Sequence, residues 1–150
     1  MSRWEQIFFD ADGALPEIGT TLAGALRLHW FLQDREVVVS GNPEDTGLPT
    51  TLTGTVERNV YAETAPDELS HISIFDDMPW VLELIVKSGD YHLQQETALL
   101  LFRRMASTLG WRSALTSEYG LLVAAQDAVH GYREFPSDTL SDATHADRWR

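Results

Sequence analysis

The chain has 150 residues, 43% of them apolar, with a formal net charge of −12 and no cysteine. This size suits one domain with a single core, and the lack of cysteine excludes disulfides, thiolate metal sites and a cysteine nucleophile. No apolar run approaches the roughly 20 residues that span a bilayer, and the first residues lack a basic signal-peptide opening. We therefore expect a cytoplasmic protein that binds no membrane and, because of its negative charge, no nucleic acid.

In chain order, the apolar segment Gln6–Phe9 predicts a strand, which the turn residues Asp12-Gly13 end. Pro16 suits the first turn of a helix, and apolar side chains recur at helical spacing from Ile18 to His29. The polarity alternates along residues 51–63, which is typical of a strand with one solvated face. The strands predicted after the first helix are Glu36–Ser40, Thr51–Glu63, His71–Phe75 and Trp80–Lys87.

A longer helix is predicted between Asp90, which can cap its amino end, and Gly110, which suits a left-handed terminating residue. Leu121–Gln126 predicts the last strand. The residues after Pro136 show no periodicity, so the sequence predicts a domain over residues 1–136 and a flexible C-terminal tail over 137–150. The expected fold class is α+β: a largely antiparallel β-sheet of about five strands with two helices packed on one face.

The negative charge is concentrated in the middle of the chain. Residues 36–96 hold twelve acidic and two basic residues, a net of −10, while the residues after Glu96 are neutral overall. Such a field attracts a basic partner. The acidic residues that fall in predicted loops, together with an aromatic residue beside them, form the predicted partner-binding set: Glu44, Asp45, Glu63, Asp67, Glu68, Asp76, Asp77 and Trp80. In a meander, the loops at 44–45 and 76–77 are expected at one end of the sheet.

The segment Ile7-Phe-Phe-Asp-Ala-Asp-Gly-Ala-Leu15 resembles the strand-then-DxDG signature of haloacid-dehalogenase-type phosphatases. The resemblance implies that Asp10 attacks phosphorus, that Asp12 is the general acid/base, and that Ser40 and Asp76-Asp77 complete a magnesium site. Two features depart from that pattern. The single lysine, Lys87, follows the acidic pair instead of preceding it, and the gaps between predicted strands are too short for crossover helices. A strand that ends in a polar turn is the simpler interpretation of residues 7–15.

Other catalytic and metal-binding patterns are missing from the sequence. The five histidines are scattered without a metal-ligand spacing, and no phosphate-binding glycine motif occurs. We therefore assign no catalytic residue, no metal ligand and no cofactor. Arg103-Arg104 and Arg112 are too few for a nucleic-acid groove. A contact between this neutral region and the acidic middle of a second copy would give a homodimer.

The segment from Ile72 to Leu84, followed by Gln94–Met105 and then Gly110-Trp111, resembles the strand-then-helix core of small acidic immunity proteins of bacterial polymorphic toxin systems. The resemblance implies a protein that binds and neutralises a cognate toxin domain, without being an enzyme. Two alternatives stay open. One is the magnesium-dependent phosphatase with Asp10 as nucleophile, and the other is an acidic scaffold or oligomerisation module.

Overall fold

The computed structural model describes residues 5–63, 73–86 and 90–150. The strands are β1 (Glu5–Phe9), β2 (His29–Gln33), β3 (Glu36–Gly41), β4 (Leu52–Arg58), β5 (Trp80–Val86), β6 (Ser113–Ser117), β7 (Leu121–Asp127) and β8 (Gly131–Glu134). The helices are α1 (Leu15–Leu26), α2 (Pro43–Thr46), α3 (Tyr91–Leu109) and α4 (Ala146–Trp149). All eight strands form one sheet in the order β2-β3-β4-β5-β1-β6-β7-β8, and each neighbouring pair is antiparallel.

The first strand of the chain lies in the middle of this sheet, between β5 and β6. Ile7, Phe8 and Phe9 are all almost fully buried. Because neighbouring side chains of a strand point to opposite faces, Ile7 and Phe9 enter one core and Phe8 enters another. The uninterrupted apolar run in the sequence is the signature of a strand that is covered on both faces.

Helices α1 and α3 cover one face of the sheet and form the larger core. Leu22 and Leu26 of α1 and Leu101, Phe102 and Met105 of α3 are fully buried against the sheet. The side chain of Asp90 accepts a hydrogen bond from the backbone N–H of Leu93, and Gly110 ends α3 with a φ of 64°. The predicted start and end of this helix are confirmed.

A second, smaller core lies on the opposite face, over β1, β5, β6 and β7. Phe8 stacks on Phe75 with ring centroids 3.9 Å apart, and Trp149 packs in the same cluster. The chain beyond Pro136, predicted as a flexible tail, thus supplies part of this core. Leu140 forms an isolated bridge with Leu121, and Asp142 forms one with Ser73. Because a segment held by a few anchor residues shows no periodicity, this packing could not be predicted from local patterns.

The α+β class and the antiparallel sheet are confirmed, but the expected counts of about five strands and two helices are too low. The strand β2 was missed because His29 continues the apolar spacing of α1, whereas the helix ends where Arg27 adopts a left-handed conformation with a φ of 60°. The short strands β6 and β8 carry small or polar residues that give no clear alternation. Two helices, α2 and α4, span only four residues each.

The predicted strand His71–Phe75 is not seen in its described part, since residues 74–77 form a turn after the single bridge at Ser73. Residues 71 and 72 lie outside the described residues. Because β4 pairs directly with β5 and Arg58 lies opposite Trp80, the acidic pair Asp76-Asp77 lies at the opposite end of the sheet from the one predicted. The strand predicted for residues 51–63 is confirmed as half-solvated, but it ends at Arg58 and is followed by a short 3-10 turn, Val60–Glu63.

Trp149 tests whether the last residues of the chain stabilise the domain. Its side chain is buried, and its indole N–H has no acceptor among the described residues. We expect Trp149→Ala to lower the free energy of unfolding by about 3 kcal/mol. Trp149→Phe keeps most of the apolar contact and loses no hydrogen bond, so it should cost about 1 kcal/mol. Urea unfolding of both variants measures this, and equal small losses would contradict a structural role for the C-terminal segment.

Candidate protein-binding surface

The predicted partner-binding residues do not form one surface in the structure. Glu44 and Asp45 lie in α2, next to the end of β3 where Gly41 pairs with Leu52. Asp76 and Asp77 precede β5, beside the pairing of Arg58 with Trp80. These are opposite ends of the sheet, so the expectation that the two loops share an end is wrong.

Of the two acidic residues in α2, Asp45 has local contacts. Asn42 caps this short helix by accepting a hydrogen bond of 2.8 Å from the backbone N–H of Asp45. The Asp45 carboxylate lies 3.3 Å from Nε2 of His29 on the neighbouring strand β2. Both side chains of this pair are exposed, so their mutual attraction is small.

The pair before β5 is also engaged within the chain. Asp76 accepts a hydrogen bond of 2.7 Å from the backbone N–H of Ser73 and so closes the turn. Arg112 donates to Asp77 over 2.8 Å and to Asp10 over 3.2 Å, and the two carboxylates raise the pKa of this guanidinium against the effect of its partial burial. The charge of Asp77 is therefore partly neutralised before any partner arrives.

Trp80 is not available to a partner in this structure. It is 8% exposed, belongs to the larger core and donates a hydrogen bond of 3.1 Å from Nε1 to the carbonyl of Ala11. The guanidinium of Arg58 lies 5.3 Å from the centre of its ring. Glu63 ends the short 3-10 turn after β4, and Asp67 and Glu68 lie outside the described residues.

The residues of the phosphatase alternative are brought together only in part, because Asp10 and Asp77 both bind Arg112 but Ser40 lies elsewhere on the sheet. Asp10 follows β1 at the Trp80 end of the sheet, whereas Ser40 lies on β3 near the opposite end, where its row continues to Thr53 and Ile85. Those phosphatases need a parallel sheet, and this sheet is antiparallel. Within residues 5–63, 73–86 and 90–150, no group of three or more His, Asp or Glu side chains is placed to hold a metal ion.

A different acidic surface emerges from the register of the strands. The smaller core includes no residue of β2, β3 or β4, so this half of the second face carries no core packing among the described residues. Strand pairing aligns Phe31, Val38, Thr55 and Glu83 in one row across β2 to β5. Because Val37 pairs with Val56 in antiparallel register, Glu36 lies opposite Glu57 in the next row of the same face. We call these six side chains the open face: Phe31, Glu36, Val38, Thr55, Glu57 and Glu83.

The open face holds three carboxylates that have no basic counter-charge among the residues that the structure describes. In the described part of the chain, Glu36, Glu57 and Glu83 form no ion pair, and Glu83 accepts its hydrogen bond of 3.0 Å from the neutral amide of Gln6. Partial burial, followed by the nearby charges of Glu83 and Glu36, raises the pKa of Glu57. Like charges held on one sheet face destabilise it unless an opposite charge approaches.

The open face also carries apolar surface, which ends in a strongly exposed aromatic residue. Phe31 is 55% exposed, and the half-buried Val38 lies beside it. The alternation of residues 51–63 in the sequence already indicated that Thr55 and Glu57 share the solvated side of β4. Phe31 could not be added to them, because the helical spacing continues to His29 and the sequence predicts no strand over residues 30–33. The shared register of Glu36 and Glu83 depends on long-range pairing.

Comparison with known proteins adds no relative: no protein-family model, no curated protein and no solved structure matches this chain. Of the helices in the described ranges, none is both long and apolar enough to cross a lipid bilayer.

A buried carboxylic acid lies on the central strand, away from the open face. Glu5 is 1% exposed and accepts a hydrogen bond of 3.2 Å from the Ser117 hydroxyl, which lies 3.1 Å from that of Tyr91. Burial raises the pKa of Glu5 to about 7, although hydrogen bonds from Ser117 and Gln94 oppose the shift. The folded state therefore binds this proton more readily than the unfolded chain does.

This burial predicts how stability changes with pH. Below about pH 4.5 Glu5 is protonated in both states and costs nothing, whereas above about pH 7 the folded state holds a buried charge. We expect Glu5→Gln to raise the free energy of unfolding by about 2 to 3 kcal/mol at pH 8 and by little at pH 4.5. Urea titrations across this range measure the difference. The exposed Glu17→Gln variant is the control, and an equal pH slope in both variants would contradict the assignment.

Proposed function

We propose that this chain is an immunity-type protein that binds and neutralises a cognate toxin domain, and that the open face is its binding surface. The partner is a protein with a basic patch that includes apolar or aromatic side chains. The single observation that carries this proposal is a sheet face that, among the described residues, has no core packing over β2 to β4 and holds three carboxylates without a counter-charge together with the exposed Phe31.

The chemistry of the open face supports a protein partner. Arginine and lysine side chains would supply the missing counter-charges, and their approach would relieve the repulsion around Glu57. Phe31 and Val38 offer apolar contact beside these charges, and exposed aromatic residues are typical anchors of protein interfaces. The regional excess of negative charge in residues 36–96 would speed the encounter with a basic partner.

Neutralisation by binding is supported by the sequence resemblance to small acidic immunity proteins. In such a mechanism the protein performs no chemistry, and a stoichiometric complex blocks the toxin's active site or a surface it needs. The rigid sheet suits this role, because the open face is formed by strands that pair in fixed register and needs no ordering on binding.

The partner should first be captured from host lysate with the wild-type chain at low and then moderate salt, and identified by mass spectrometry. The purified partner is then assayed for its own activity with increasing amounts of the chain. We expect inhibition that is complete at equimolar amounts. A partner whose activity is unchanged by saturating chain would contradict the proposal.

The triple variant Glu36→Gln, Glu57→Gln, Glu83→Gln tests the open face directly. We expect it to bind the captured partner about 10- to 100-fold more weakly and with a flatter salt dependence, because its charges no longer attract the basic patch. The matched control, Glu17→Gln, Glu96→Gln, Asp147→Asn, removes three exposed carboxylates elsewhere on the chain. Equal losses in both variants, measured by titration calorimetry, would show that net charge alone acts.

A second variant tests the loop carboxylates that were predicted from the sequence to bind the partner. Exchange of Glu44, Asp45, Asp76 and Asp77 for their amides removes four charges from opposite ends of the sheet. We expect this variant to slow association moderately and to leave the dissociation rate nearly unchanged, since distant charges steer an encounter without forming the contact. Surface plasmon resonance separates the two rates. A faster dissociation than that of the open-face variant would shift the binding surface to the loops.

A further inference from the structure

The outer strand β2 presents an unguarded sheet edge. Within the described ranges β2 pairs only with β3, so one side of its backbone has no strand partner. Natural proteins usually protect such edges with lysine, proline, a bulge or inward-pointing charge. The sequence of β2, His-Trp-Phe-Leu-Gln, has none of these, and Phe31 and Leu32 are 55% and 50% exposed.

The opposite edge of the same sheet is strand β8, which differs from β2 in its charged side chains. Strand β8 has four residues and carries charge at Arg133 and Glu134. Glu134 forms a bidentate ion pair of 2.9 Å with Arg103 of α3. Charged side chains therefore guard the β8 edge, and β2 is the edge that can accept another strand.

The turn between β2 and β3 fixes which backbone groups of β2 point outward. Gln33 pairs with Glu36 across the two-residue turn, and such a turn closes on a hydrogen-bonded pair. Hydrogen-bonded and non-hydrogen-bonded pairs then alternate, so Phe31 bonds inward to Val38. The N–H and C=O groups of Trp30 and Leu32 consequently face away from β3.

We propose that β2 pairs with β2 of a second copy of this chain, antiparallel and symmetric about Phe31. In this register Trp30 of one protomer exchanges hydrogen bonds with Leu32 of the other, and the outward backbone groups are satisfied. The two copies of Phe31 face each other as a non-hydrogen-bonded pair, in which side chains approach most closely. The two sheets become one continuous sheet with a two-fold axis through its centre.

The side chains fit this register on both faces of the sheet. On the open face, Val38 and Phe31 of one protomer continue into Phe31 and Val38 of the other. On the opposite face, the exposed Leu32 meets Trp30 of the second copy, and Trp30 is held in place by close packing against Gly19. Both strongly exposed apolar residues of β2 are therefore covered by a single symmetric contact.

Charge also favours this edge for contact between two copies. Each chain carries −12, so most of the two surfaces repel each other. Strand β2 contains no carboxylate, and the adjacent turn residues Asp34 and Arg35 have opposite charges.

The contact between the two β2 strands is short and small in area, so we expect the dimer to dissociate in the micromolar to millimolar range. Salt should strengthen the dimer by screening the repulsion, whereas it should weaken binding of a basic toxin.

Sedimentation velocity of the pure full-length chain tests the dimer. We expect the mass to rise from 16.9 kDa towards twice that value with increasing concentration, and to do so earlier at high salt. Phe31→Lys should remain monomeric, and circular dichroism checks that it folds. Val129→Lys is the matched control, because Val129 is 86% exposed in the turn before β8 and should leave the dimer unchanged. A wild type that stays monomeric up to millimolar concentration would overturn the proposal.

Single cysteines test the register, since the natural chain has none. Phe31→Cys should form a disulfide-linked dimer under mild oxidation, because the two-fold axis sets the thiols opposite each other. Leu32→Cys should not, because its opposite neighbour is Trp30, and Val129→Cys should not either. Cross-linking of Leu32→Cys in preference to Phe31→Cys would overturn the proposed pairing. These experiments need no toxin partner, so their outcome is independent of the proposed function.

Discussion

The structure depends on the burial of β1 on both faces of the sheet. Phe9 and Ile7 pack under the two long helices, while Phe8 packs on the opposite side with Phe75. Each face must therefore be covered where β1 lies. The helices α1 and α3 do this on one face, and the turn before β5 together with the C-terminal residues does it on the other. The central strand thus joins the two ends of the chain in one folding unit.

Among the described residues, core packing covers only one half of the second face, and we relate the other half to function. The smaller core is confined to β1 and β5 to β7, where Trp149 and Phe75 supply its cover. The strands β2 to β4 contribute no residue to that core and carry Glu36, Glu57 and Phe31 on this face instead. A sheet face that is apolar over one half and acidic over the other provides a stable core and a charged surface in the same layer. We connect the proposed partner binding to the acidic half and the proposed dimer to its outermost strand.

Local patterns predicted much of the fold, while long-range pairing decided the site. The helix α3 was predicted at both ends because Asp90 and Gly110 act within a few residues of the chain. Strand β2 was missed because the spacing of Leu26 and His29 continues a helical stripe, and only the left-handed Arg27 stops it.

Glu36, Glu57 and Glu83 are 21 or more residues apart in sequence, and no local pattern indicates that strand register brings their side chains to one face. Trp80 is next to a charged loop in the sequence, yet it lies in the larger core and donates a hydrogen bond to Ala11, a contact between residues far apart in the chain.

Carboxyl footprinting of the complex with its captured partner tests the central claim most directly. Exposed carboxylates are labelled with a water-soluble carbodiimide and an amine in the free and bound chain, and the labelled residues are identified by mass spectrometry. The account predicts that binding protects Glu36, Glu57 and Glu83 while Asp76, Asp77, Glu44 and Asp45 keep their reactivity. Protection of the loop carboxylates with unchanged labelling of the three glutamates would contradict it, because the partner would then bind at an end of the sheet and leave the open face uncovered.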